Sequence, residues 1–241
     1  MGVVDGSVSG VLRIDRLAGM PGLRHGFSTL AAGPMQRGPD DPLLTGPRRA
    51  FAAEVGVDPD RLCSVGAVHG VEIGRVEEPS GAVPGVDGLV TSRPGLPLFA
   101  IFADCRPLLL YDPERRALGL CHAGWRGAAE GMATLAVASM RREYGCRPED
   151  LVVGIGPGIC GACNEVGPEV AGRFPEEAVT PGRGDRLLLD LDLVNRLQLE
   201  AAGVDPDRTF SHPACTVESE ALPSHRALPD GSRFACLVAL S

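Results

Sequence analysis

Apolar residues in this chain come in short runs cut by turn residues. GLVTS (88–92), LPLFAIFA (96–103), PLLLY (107–111) and ALGLCHA (117–123) are separated by segments such as Arg93-Pro94-Gly95 and Asp112-Pro113-Glu114. Runs of this length, punctuated in this way, predict β-strands. LVVGIG (151–156) predicts another buried strand, and a further short one falls near 234–240. Helical spacing appears elsewhere. Residues 127–145 place Met132, Leu135, Ala136 and Met140 on one face, with Gly145 as the stop. Residues 190–203 form a second amphipathic helix, capped by Asp190 and closed by Gly203. A third helix is expected with Pro47 near its first turn and Gly56 just past its end. The stretch 31–47 before it is dense in Pro, Gly and Asp and reads as a long irregular loop.

The hexapeptide GVDPDR occurs at 56–61 and again at 203–208, each time after a helix. It reads as one exit turn used twice, not as a duplicated domain. Strands and helices interleave without regular alternation. The expected fold class is α+β, with residues 1–241 forming a single domain of mixed β-sheets covered by helices.

Composition narrows the function. A chain of 241 residues can bury a proper core. Its net charge is -8 and its aromatic content 4%, and it has no basic run. Neither a nucleic-acid partner nor an anionic membrane surface is expected from such a balance. All 23 cationic residues are arginine, which excludes a lysine Schiff base. The segment MGVVDGSVSG has no basic n-region or apolar h-region, and no apolar run reaches membrane-spanning length. A cytoplasmic protein is expected, its eight cysteines mostly reduced.

Candidate chemistry gathers at three places: AVHG with His69, FADCRPLLL with Asp104 and Cys105, and LCHAGWRG with His122 and Arg126. Each lies at the edge of an apolar run, where side chains can converge. Two imidazoles and one thiolate suit a borderline-soft divalent ion and leave a fourth position open, as in catalytic zinc sites. No pair of these ligands falls in a short CxxC or HxxxH frame, so spacing alone leaves buried, satisfied side chains as the alternative.

From about residue 24 onward the chain resembles the laccase-domain family, also called multicopper polyphenol oxidoreductase or purine nucleoside phosphorylase, which includes peptidoglycan editing factor-like proteins. The resemblance rests on HGFST (25–29), VHG (68–70), DGLVT (87–91), ADCRPLLL (103–110), HAGWRG (122–127), GIGPGI (154–159), EVG (165–167), Cys215-Thr216 and the SHR…GSR pair near the end. It implies that His69, Cys105 and His122 bind one zinc ion, with copper as the alternative metal. It also implies phosphorolysis of adenosine, inosine, guanosine or methylthioadenosine, and deamination of adenosine, with nucleoside and phosphate as partners. Cys105, His122 and Asp104 are then the candidate catalytic residues. Arg126, Arg226 and Arg233 are the candidate substrate-binding residues, because guanidinium forks suit a phosphate dianion. Surface salt bridges are the plainer use of these arginines, and orienting a neighbour is the plainer use of Asp104. Four positions depart from the family's usual residues: Leu30, Ala67, Asn164 and His225.

Other readings compete. Cys105 can be the nucleophile of an amide hydrolase acting on peptidoglycan precursors, with His122 or His69 as base. The chain can be an inactive metal- or partner-binding paralogue. Multicopper oxidase chemistry needs more histidines per cluster than five scattered ones supply. Cys160-Gly-Ala-Cys163 has CxxC spacing, but a structural zinc needs a second pair. Cys215 and Cys236 are too scattered to supply one, so these cysteines read as packing residues.

Overall fold

The computed structural model describes residues 10–35 and 45–241. Of the loop expected over 31–47, residues 36–44 lie outside the described residues. Two six-stranded sheets form the centre. The first runs in the order β1 (Val11–Leu12), β2 (Leu23–Ser28), β15 (Phe234–Leu240), β7 (Leu98–Phe102), β3 (Cys63–Gly66), β5 (Gly81–Pro84). The second runs β14 (Thr209–Ser211), β10 (Val152–Ile155), β8 (Arg106–Asp112), β9 (Ala117–Ala123), β6 (Gly88–Thr91), β4 (Ile73–Arg75). A small third sheet runs β11 (Glu165–Val166), β13 (Leu187–Leu189), β12 (Val179–Pro181). Both large sheets mix parallel and antiparallel pairs, as expected: β3 pairs β7 in parallel, while β15 pairs β7 antiparallel.

The period-2 alternation of each strand decides the layering. In β15, Phe234, Cys236, Val238 and Leu240 face the second sheet, where they share a core with Leu109, Tyr111, Leu118 and Leu120. Ala235 and Leu237 point the other way, onto Phe51, Ala52 and Val55 of helix α2 (Gly46–Val55). In the second sheet, Leu108, Leu110 and Cys121 face outward onto Met132, Ala136, Val137 and Met140 of α4 (Met132–Tyr144) and Leu199 of α6 (Leu191–Ala201). The layers therefore stack helix, sheet, sheet, helix. Three short helices, α1 (Asp15–Ala18), α3 (Trp125–Ala129) and α5 (Pro168–Ala171), complete the set among the described residues. No helix among them is long and apolar enough to cross a membrane.

The expected helix over 127–145 is two helices. Gly131 takes a left-handed φ of 85° between α3 and α4. The two pieces dock on different partners. A Cβ on Gly127 in α3 would meet the Gly70 carbonyl at 2.9 Å, whereas α4 lies on the outer face of the second sheet. A glycine swivel lets each satisfy its own contact. Leu135 is exposed, and the buried stripe runs Met132, Ala133, Ala136, Val137, Met140. The other helix ends match the reading. The Asp190 carboxylate accepts from the N–H groups of Asp192 (2.9 Å) and Leu193 (3.1 Å), Pro47 lies in the first turn of α2, and Gly56 closes that helix at φ 83°. The two GVDPDR copies make the same turn. Asp58 accepts from Asp60 N–H and Asp205 from Asp207 N–H, both at 2.9 Å.

Candidate metal centre

The sequence folds three separate segments onto one point. Cys105 precedes β8 and His122 is near the end of β9. Antiparallel pairing of these strands sets Arg106 opposite Ala123 and Pro107 opposite His122. His69 arrives on the turn between β3 and β4, with a left-handed φ of 63°. The ligand atoms of His69, Cys105 and His122 all lie within 4.8 Å of one another. Glycines make room for them. A Cβ on Gly124 would stand 2.8 Å from Cys105 Sγ. With Gly127 against the Gly70 carbonyl, both glycines of HAGWRG are explained by close approach.

Asp87 organises the centre, and sequence reasoning gave it no role beyond its place in DGLVT. Its carboxylate is fully buried. Oδ2 accepts from the N–H groups of Val68 (3.1 Å) and Gly70 (2.8 Å), and Oδ1 from that of His69 (2.9 Å). His122 Nδ1 lies 3.2 Å from Oδ1, which leaves Nε2 for the centre. Asp87 thus folds the His69 turn and orients the second imidazole at once. A carboxylate–histidine pair of this kind is what holds a metal-ligating ring in its tautomer and orientation. Burial alone would raise the Asp87 carboxyl, but hydrogen bonds from His122, Gly70 and Val68 hold it below its ordinary value.

The centre favours charge. Burial alone would push the Cys105 thiol up, yet hydrogen bonds from His122 and His69 bring it down to about 6. Burial would push His122 down, yet Asp87 and Cys105 raise it to about 9. Cys121, one residue away, faces the opposite side of the sheet in the helix-covered core, where burial pushes its thiol up to about 12.

The centre opens into a cavity of about 480 Å³, within the range that accommodates a small-molecule ligand. Arg126, Arg226 and Arg233 line it, as do Ala67, Asn164 and His225. Arg126 lies over the Trp125 ring at 4.4 Å. The Arg226 guanidinium donates to the carbonyls of Cys163 (3.3 Å) and Glu165 (3.0 Å) and to Asn164 Oδ1 (3.4 Å). Arg233 donates to the Ser232 carbonyl. None of the three is in a salt bridge among the described residues. Asp104 lines the cavity, but its carboxylate is engaged: Oδ1 accepts from Thr216 Oγ1 (2.6 Å) and Oδ2 from Arg226 N–H (2.7 Å). Leu30 is not at the cavity. It lines a separate depression with residues of the 216–232 segment. Arg106, also unremarked in the sequence, is buried and donates to the carbonyls of Gly156 (3.0 Å) and Ile159 (3.3 Å), fixing the cavity wall.

A layered sandwich of two mixed sheets, carrying a Cys–His–His centre at the end of one sheet and the mouth of a cavity, defines a class of protein with one candidate catalytic metal site. The chain belongs to the multi-copper polyphenol oxidoreductase laccase family, whose model matches residues 27–241. It is 39% identical over 194 residues to a purine nucleoside phosphorylase of Deinococcus radiodurans, covering 75% of each chain. It is 36% identical over 212 residues to the purine nucleoside phosphorylase YlmD of Geobacillus stearothermophilus, covering 81% of this chain and 77% of that one. The crystal structure of YlmD superposes with a TM-score of 0.85 at 30% identity, over 98% of both chains. The Bacillus licheniformis protein YfiH superposes with a TM-score of 0.86 at 28% identity, again over 98% of both.

Proposed function

We propose that the chain, working as a single catalytic domain in the cytoplasm, is a zinc-dependent purine nucleoside phosphorylase that also deaminates adenosine. The convergence of His69, Cys105 and His122 at the mouth of an arginine-lined cavity carries this reading, and the relatives named purine nucleoside phosphorylase support it. The donor set fits zinc: two imidazoles, one thiol held low enough to be thiolate at neutral pH, and a buried carboxylate behind His122. When bound, zinc supplies Lewis acidity that makes water a nucleophile near neutral pH.

The remaining work falls to the chain's own groups. In phosphorolysis the bond between the anomeric carbon and the purine breaks as a phosphate oxygen bonds that carbon. Arg126, whose guanidinium lies over the Trp125 ring and in no salt bridge among the described residues, is suited to hold the dianion. Arg226 and Arg233 line the same cavity as further cationic donors. In deamination, water adds to the amino-bearing purine carbon and ammonia leaves. Asp104 acts as a positioning residue, because both its oxygens are occupied by Thr216 and Arg226.

Zinc-loaded protein incubated with adenosine should give adenine and ribose 1-phosphate in phosphate buffer, and inosine without phosphate. Full zinc occupancy with neither product would sink the reading. A second reading rests on the lowered Cys105 thiol beside His122: a cysteine amide hydrolase. That reading requires the metal-free form to be the active one, so activity before and after chelation separates the two.

A further inference from the structure

Cys160, Cys163, Cys215 and Glu218 form a second cluster, whose ligand atoms also lie within 4.8 Å of one another. In sequence alone the Cys160–Cys163 pair lacks a second pair. The fold supplies one: Cys215-Thr-Val-Glu218 repeats the same two-residue spacing with a carboxylate in its second place.

Two loops bring the pairs together. Gly158 bridges to Cys215, the Thr216 N–H donates to the Gly158 carbonyl at 3.1 Å, and the Cys160 N–H donates to Cys215 Sγ at 3.3 Å. The turn after Cys160 then returns Cys163, whose N–H donates to the Cys160 carbonyl at 3.1 Å. Cys163 Sγ stands 3.5 Å from Glu218 Oε1, and Cys160 Sγ 3.9 Å from the same oxygen.

We propose that these four side chains hold a second zinc ion in a closed, structural site. With zinc–sulfur bonds of about 2.3 Å and a zinc–oxygen bond of about 2.0 Å, a tetrahedron has edges of roughly 3.8 Å between sulfurs and 3.5 Å between sulfur and oxygen. The sulfur–oxygen separation of 3.5 Å from Cys163 matches that edge length, and the 3.9 Å from Cys160 needs only a small closing movement. A disulfide explains less, since it uses two sulfurs and leaves the third thiol and the carboxylate without a purpose. Four protein ligands close the coordination shell, which distinguishes this site from the three-ligand centre at the cavity.

The site also has work to do. Ile159, Asn164 and Arg226 line the cavity, and the Arg226 guanidinium bonds the Cys163 carbonyl. Zinc here would staple the 158–164 loop to the 214–218 loop and so hold one wall of the cavity in place. The two sites share no ligand, so metal counting separates this proposal from the reading of the catalytic centre.

Zinc-reconstituted, reduced protein, freed of loose metal and analysed for elements, should carry two zinc ions per chain. Cys105→Ser and Cys163→Ser should each carry one, and the double variant none. In Cys105→Ser, cobalt(II) in place of zinc should show the intense thiolate charge-transfer bands of a three-sulfur site. Should Cys163→Ser fail to fold, Glu218→Gln changes an exposed side chain only. It should weaken the second zinc at least about tenfold in competition with a chromophoric chelator. One zinc per wild-type chain with none retained by Cys105→Ser, absence of cobalt–thiolate bands in that variant, or unchanged affinity in Glu218→Gln would overturn the proposal.

Discussion

His25 and His122 are almost equally buried, at 3% and 4% exposure, on the two facing sheets, yet their protons go opposite ways. His25 is in β2, where its Nε2 accepts the Ile14 N–H at 2.9 Å. Burial, then the charges of Arg13 and His212, push it down to about 4. His122 meets two anions, the Asp87 carboxylate and the Cys105 thiolate, and rises to about 9 although burial pulls it down. Burial alone therefore does not decide what a histidine does. The groups at its ring nitrogens decide it, and they make one ring a neutral structural acceptor and the other a member of a charged, metal-competent centre.

The largest effect should come from removing the anion behind His122. Asp87→Asn keeps the size but puts an amide NH₂ where one carboxylate oxygen accepted backbone N–H groups. Either orientation sets donor against donor, because both Asp87 oxygens accept from this turn. Breaking a buried charged pair costs on the order of 3–5 kcal/mol. Urea unfolding should show that loss, and zinc affinity at the cavity centre should fall about 10–100-fold. Unchanged zinc affinity would mean that His122 is oriented without Asp87.

The other histidine yields a pH test. His25 has a folded-state value near 4 and an unfolded value of 6.5, so between them the unfolded chain binds the extra proton. Its stabilising contribution is present above pH 6.5 and is lost as pH falls toward 4, by about 3 kcal/mol in all at 1.36 kcal/mol per unit. His25→Gln can still accept the Ile14 N–H but cannot titrate. Between pH 7 and pH 4 wild type should lose about 3 kcal/mol more than this variant. Parallel losses would show that His25 titrates normally in the folded chain.

A smaller effect is expected at the cavity. On the proposed reading Arg126→Ala removes one charge-assisted contact to phosphate, worth about 1.5–3 kcal/mol, or roughly a ten- to hundredfold rise in the phosphate KM. Deamination should change less. Equal losses in both reactions would make Arg126 a structural or nucleoside contact.

These contrasts also show what the sequence could and could not reveal. Strands β6 to β10 and β15 were legible, because short apolar runs bounded by Pro, Gly and Asp have few other uses; β1 to β5 and β14, most of them two to four residues long, carry no such run. The break at Gly131 was not, because one glycine in a helical period is tolerated as often as it signals an end. The convergence of His69, Cys105 and His122 was legible through the motifs that carry them and not through their spacing. Asp87 was invisible as an organiser because three of its partners are backbone N–H groups, which leave no mark in a sequence. Glu218 was invisible for another reason: exposed carboxylates are common, and only the fold brings this one to Cys160 and Cys163.

The smallest effect concerns Leu30, one of the four positions that depart from the family's usual residues. The other three departures, Ala67, Asn164 and His225, all line the cavity, and Asn164 braces Arg226. Leu30 is 50% exposed, and its N–H donates to the Ala221 carbonyl beside a different depression. An arginine introduced there meets solvent, and surface substitutions away from such features stay within about 0.5 kcal/mol. Leu30→Arg should therefore leave the phosphate KM and the ratio of phosphorolysis to deamination within about twofold of wild type. A larger shift toward phosphorolysis would mean that the 30–32 turn swings toward the cavity when phosphate binds, joining the two depressions into one site.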